Sequence, residues 1–169
     1  MTQRSVEHPA PDGLLPAAAV DGKALRGART PEGGRVFLVA AIDHATGAVL
    51  GQRQVPSKRG EGAAARALLT GLRAPAMVWT LDALHTTKAT ARLITKDLHG
   101  HYVLIIKGNQ PIARDAAAAL LSGLDTDWVA TTATEDDRGH GRVERRTIRV
   151  APAEDGLFPG AVQAFRLRR

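Results

Sequence analysis

The order in which strand-like and helix-like stretches succeed one another constrains this chain more tightly than any single residue. Ala17-Ala-Ala-Val-Asp21 reads as a modest strand, and Val36-Phe-Leu-Val-Ala-Ala-Ile42 is the unbroken apolar run expected of a strand buried on both faces. His44-Ala-Thr-Gly47 turns the chain. Ala48 to Val55 is then the return strand of a hairpin, and its Gln52, Arg53 and Gln54 place it near a sheet edge. An amphipathic helix from about Gly62 carries Ala65, Leu68, Leu69 and Leu72 on one side and ends before Pro75. Met77-Val-Trp-Thr-Leu-Asp82 follows as a strand, and Thr87 to Leu98 as a helix with Ala91, Ile94 and Leu98 on one stripe. After the strong strand Tyr102-Val-Leu-Ile-Ile106, Pro111 opens a third helix whose Ile112, Ala116, Leu120 and Leu124 form the expected apolar face.

Three strands followed by helix, strand, helix, strand, helix describe a meander continued by two right-handed crossovers. That is the order of an RNase H-like sheet. Beyond Trp128 the texture changes: Val129 to Thr134 and Arg142 to Val150 read as strands joined by a turn at Arg138-Gly-His-Gly141. The expected class is therefore α/β, an RNase H-like mixed sheet with flanking helices and a C-terminal β-hairpin insertion. Its parts are a disordered lead-in over 1–16 with three prolines, a partial catalytic core over 17–127, and a truncated β-rich insertion over 128–169.

A chain of 169 residues suits one globular domain. With no cysteine, it can form neither disulfides nor Cys-ligated metal sites, so any metal must sit on carboxylates or histidines. There is neither an apolar run of about 18 residues nor a charged-then-apolar leader, which points to a cytoplasmic protein without a membrane partner. Lysine and arginine number 23 against 17 acids, with a pI near 10.5, so a polyanion is a reasonable partner. The excess is concentrated: Arg138, Arg142, Arg145, Arg146, Arg149, Arg166, Arg168 and Arg169 crowd the C-terminal quarter.

In such a sheet the first strand lies parallel to the fourth, which brings Asp21 and Asp82 to the same carboxyl-end edge. Two neighbouring carboxylates invite a hard divalent cation, Mg²⁺ or Mn²⁺, able to orient a water and clamp a phosphate. Taken singly, either aspartate reads as a strand-end cap; their joint placement is what favours metal. Lys23 shares the side of Asp21 if the strand continues, and Arg26 follows it. Lys107 ends the fifth strand, and Gly108-Asn109-Gln110 turns into a helix N-terminus that can offer backbone N–H groups to phosphate. His85 could ligate metal or be structural, His44 sits in a hairpin turn, and Trp79 and Trp128 fit core positions. Glu144 admits two readings. It is a candidate third acid, yet in a strand it shares a face with Arg142 and Arg146, and ion pairing accounts for it without catalysis.

Four stretches, Val20-Asp-Gly-Lys-Ala-Leu-Arg-Gly27, Thr80-Leu-Asp-Ala-Leu-His-Thr86, His101-Tyr-Val-Leu-Ile-Ile-Lys-Gly-Asn-Gln-Pro111 and His140-Gly-Arg-Val-Glu-Arg145, occur in one order over about Ala17 to Arg169. In this they resemble the H-repeat-associated branch of bacterial insertion-sequence transposases, within the DDE superfamily. The resemblance implies an RNase H-like domain that cuts and rejoins DNA at element ends, using two Asp and one Glu around Mg²⁺ or Mn²⁺. It assigns Asp21 and Asp82 to the first two acids and makes the hairpin carrying Glu144 the β-rich insertion that precedes the last catalytic helix. The His-Trp-x-Ile-Glu-Asn block of that helix and the N-terminal helical region are absent. Lys58-Arg59-Gly60-Glu61 stands where the family has Lys-Ser-Asn-Glu, and Thr87 where it has Gln.

Three functional readings follow. In one, the chain is a metal-dependent polynucleotidyl transferase acting on transposon ends and target DNA, with Asp21 and Asp82 on the metal and Lys23, Arg26, Lys107, Asn109, Arg142, Arg145 and Arg146 contacting DNA. In the second, favoured for the chain by itself, it is a decayed product of a transposase gene that binds DNA weakly or serves no role, because two carboxylates place metals and water poorly. In the third, it is a co-opted DNA-binding module or a partner of a full-length transposase. Homo-oligomerisation is compatible with all three.

Overall fold

The computed structural model describes residues 13–55, 60–74, 76–122, 131–139 and 142–168, with only the backbone for 131–139 and 142–144. Expectations for residues 1–12, Leu124, Trp128 and the turn at 140–141 lie outside the described residues. Two compact units divide the chain, Met1–Ile105 and Ile106–Arg169.

The first unit is built on a five-stranded sheet. Its strands are β1 (Ala17–Arg29), β2 (Arg35–Asp43), β3 (Val49–Val55), β4 (Val78–Leu81) and β5 (His101–Leu104), in the order β3-β2-β1-β4-β5. β2 runs antiparallel to β1 and β3, whereas β1, β4 and β5 are parallel. This is the RNase H-like mixed sheet that the element order predicts. β3 is an edge strand, as the exposed Gln52, Arg53 and Gln54 require. The turn before it is closed by the buried Asp43, whose Oδ1 accepts from both the N–H and the hydroxyl of Thr46 at 2.7 Å.

Helix α1 (Glu61–Leu72) packs on β2 and β3 through Ala64, Ala65, Leu68 and Leu69. These side chains join Ala18, Val20, Val39, Ala41, Trp79 and Leu81 in the main core. Burying each such leucine stabilises the fold by roughly 1.5–3 kcal/mol. Along β1 and β4, Ala18 lies opposite Trp79 and Val20 opposite Leu81, so buried residues pair in register on the core side. β2 departs from expectation. Val39, Ala41 and Asp43 are buried while Leu38, Ala40 and Ile42 are only half-buried, so a run that reads as two-sided is fully covered on one face. Apolar composition alone does not reveal on which face a helix will lie.

The expected helix from Thr87 to Leu98 begins as α2 (Lys88–Arg92), capped by the Thr87 hydroxyl, which accepts from the Thr90 N–H. It widens into a π-helical turn over Leu93–Asp97, closed by the Leu98 N–H on the Leu93 carbonyl. Ala91, Ile94 and Leu98 are all buried. β1 continues to Arg29, well past Asp21, while β5 stops at Leu104 rather than Ile106.

The second unit contains α3 (Pro111–Ser122) and an antiparallel sheet of β6 (Thr131–Gly139), β7 (Arg142–Pro152) and β8 (Gln163–Arg168), in that order. The expected hairpin is present, and β8 adds a third strand to it. α3 lies against β7 and β8, and its buried residues are Ala113 and Leu121. The expected Ile112, Ala116, Leu120 row is therefore corrected: Ile112 is 86% exposed and Ala116 is exposed. Adjacent rows of this alanine-rich helix are almost equally apolar, and packing against β7 and β8 buries the row that holds Ala113 and Leu121.

Candidate active site

β1 and β4 lie side by side, and their parallel ladder ends at Val20 opposite Leu81. Asp21 and Asp82 are the next residues on each strand, at a strand separation of about 4.8 Å. Both are exposed at this end of the sheet. Asp21 stays within β1, paired with Ala40. Asp82 leaves β4 and opens a single 3₁₀ turn over Ala83–His85, where its Oδ1 accepts from the N–H of Leu84 at 2.9 Å and of His85 at 3.3 Å. The buried Thr86 hydroxyl lies 2.7 Å from the Ile105 carbonyl and 3.1 Å from that of Asp82, tying the turn to the chain beyond β5. Asp82 thus keeps a local capping role while its side chain remains 56% exposed.

His85 is buried at 1% exposure, and neither ring nitrogen has a hydrogen-bond partner among the described residues. Its Nε2 stands 3.5 Å from Glu61 Oε1 and 4.0 Å from Asp82 Oδ1. An imidazole buried without a hydrogen bond costs roughly 1–3 kcal/mol, so its position between two carboxylates is a costly arrangement. Sequence reasoning misses Glu61 because it opens a helix, where an acid is ordinary. Gly22, directly after Asp21, is the one local hint: a Cβ there would fall on the Glu61 carboxylate.

Lys23 is exposed on β1 and shares the strand face of Asp21 by alternation, paired in register with Leu38. Arg26 is exposed beyond it, where the β1–β2 register shifts between Ala24 and Arg29. His44 Nε2 is 3.0 Å from Thr80 Oγ1, and Trp79 is fully buried in the core. In the second unit, Lys107 and Asn109 are exposed in the turn before α3, with the Gln110 N–H on the Lys107 carbonyl at 3.1 Å. Glu144 lies in β7 opposite Asp137, and Arg142, Arg145 and Arg146 lie opposite Gly139, Asp136 and Glu135. Among the described residues no three His, Asp or Glu side chains gather closely enough to hold a metal ion.

A mixed sheet in this strand order, with an acid just beyond the end of the β1–β4 parallel ladder on each strand, defines an RNase H-like domain. The chain belongs to the transposase DDE domain family, whose model matches residues 13–164. It is 31% identical over 145 residues to an uncharacterized protein in the dhlA 3′ region of Xanthobacter autotrophicus, a match covering 85% of this chain and 49% of that protein. The chain thus spans about half the length of the curated relative it matches. Among solved structures, the piggyBac transposase in a synaptic complex with hairpin DNA is similar over 89% of this chain and 32% of that one, with 13% identity and a TM-score of 0.48.

Proposed function

We propose that this chain is part of the catalytic domain of an H-repeat-associated DDE transposase, with Asp21 and Asp82 as two of its metal ligands. The observation that carries this reading is the β1–β4 register, which makes the two acids consecutive to paired residues on neighbouring parallel strands. The donor set fits the group: exposed carboxylate oxygens suit Mg²⁺ or Mn²⁺. When bound, such a cation supplies the electrostatic stabilisation that phosphoryl transfer needs. The protein's own contribution is positional. Asp82 is oriented by two backbone N–H groups, and Lys23 adds a cation on the strand face of Asp21.

By itself the chain is inactive in strand transfer, because two carboxylates leave the metal incompletely held. Glu144 is not assigned as the third acid, because it lies within the β7 ladder, opposite Asp137, and not on a helix. The test is Mn²⁺ binding by calorimetry beside a strand-transfer assay on terminal-repeat DNA. Saturable binding that is lost in Asp21→Asn and Asp82→Asn, with no strand transfer, is expected. Unaltered binding in both variants overturns the metal pair, and robust strand transfer by this chain alone overturns its inactivity.

A DNA-binding role, on transposon ends and target, is supported by the second unit. β7 and β8 place Arg149 opposite Arg166, and a row of cations along a strand ladder suits contact with a phosphate backbone. Arg142, Arg145 and Arg146 extend the basic strand, and Lys107, Asn109 and Arg26 are further candidate contacts.

A further inference from the structure

Below the exposed Asp82 lies a second carboxylate that the sequence motifs leave unassigned. Glu61 is the first residue of α1, and the helix N-terminus alone would account for an acid there. Its carboxylate, however, crosses β1 at Gly22, where a Cβ would overlap it, and comes within 3.5 Å of His85 Nε2. Residue 22 faces the same side of the strand as the buried Val20, so Glu61 approaches from the core side. His85 is the independent sign that this is more than a cap. It is almost wholly buried, has no hydrogen-bond partner on either ring nitrogen among the described residues, and directs Nε2 between Glu61 and Asp82. The Asp82 oxygen nearest His85 is also the one that receives the Leu84 and His85 N–H groups.

From this juxtaposition we infer that Glu61 is a positioning residue of the centre: acting through His85, it fixes the Asp82 carboxylate and so tightens cation binding. The inference rests on the reading of Asp21 and Asp82 as a metal pair. Groups that orient a metal's ligands typically contribute about 10–100-fold to its affinity. Gly22 makes the arrangement testable without altering any charge, because an added methyl displaces the flexible end of Glu61 rather than backbone.

The experiment measures Mn²⁺ affinity of the full chain by electron paramagnetic resonance, with the Tm of the metal-free protein alongside. Asp82→Asn is expected to abolish saturable binding. Glu61→Gln and Gly22→Ala should each weaken it about 10–100-fold, with metal-free Tm near that of the parent for Gly22→Ala. Parental affinity in both Glu61→Gln and Gly22→Ala, beside lost binding in Asp82→Asn, overturns the positioning role and leaves the metal pair standing. Unaltered affinity in Asp82→Asn, or no uptake by the parent, overturns the metal pair and this inference with it. Should the variants fail to fold, the parent decides: Mg²⁺ must shift the ¹⁵N resonances of the His85 ring, and unmoved resonances overturn the role.

Discussion

Asp82 caps a turn, and substitution can separate that duty from the metal-ligand role proposed for it. Its Oδ1 caps the Ala83–His85 turn, and losing such an acceptor costs about 1 kcal/mol. Asp82→Ala is therefore expected to lower stability by about that amount in urea denaturation, whereas Asp82→Asn, which keeps an oxygen acceptor, should stay within about 0.5 kcal/mol of the parent. A loss of metal binding in the asparagine variant is then a loss of charge and not of structure. Tyr102, on β5 opposite Trp79, shows what burial does to an ionisable group: its phenol is pushed up to about 12 by desolvation. Because the folded value lies above the unfolded one, the associated stability is present below about pH 10 and is lost as pH rises toward 12. Phenolate absorbance in the folded protein should therefore appear near pH 12, and a midpoint near 10 contradicts the half-buried environment.

Packing between elements is only partly legible from hydrophobic spacing. That spacing identifies α1 and its buried side, because Ala65, Leu68 and Leu69 recur on one stripe with polar residues around them. In α3 the run Ala116 to Leu121 offers no such contrast, and the wrong row reads as apolar. Leu121→Ala should cost roughly 2–5 kcal/mol, while Ile112→Ala should fall within about 0.5 kcal/mol. Equal losses at both positions would contradict the observed facing. On the edge strand, a Cβ at Gly51 would stand 3.0 Å from Leu72 Cδ2 and 3.2 Å from Leu68 Cδ1, so α1 sits close on β3 because residue 51 has no side chain. Gly51→Val should destabilise by roughly 1–3 kcal/mol through overpacking, measurable as a shifted urea midpoint at constant m-value.

For the whole molecule, the formal charge of +6 and the arginines of the second unit's sheet predict binding to DNA that weakens steeply with salt. Replacing Arg149 and Arg166 together by alanine should reduce the slope of log K against log salt by about 0.9 for each phosphate that is no longer neutralised. An unchanged slope would place the DNA surface elsewhere. Among the described residues no helix is long and apolar enough to cross a membrane.

The succession of elements is written in the amino-acid sequence, and with it the strand order and the neighbouring positions of Asp21 and Asp82. Those follow from local periodicity and from the handedness of crossovers, both of which are properties of contiguous residues. Three features emerge from folding alone: the row of α3 that is buried, the full cover on one face of β2, and the convergence of Glu61, Gly22 and His85 below Asp82. These depend on side chains from separate elements meeting in space, and no spacing along the chain encodes such a meeting. Asp21 and Asp82 are legible because strand pairing brings their backbones together, whereas Glu61 is joined to them only by the packing of α1 across β1.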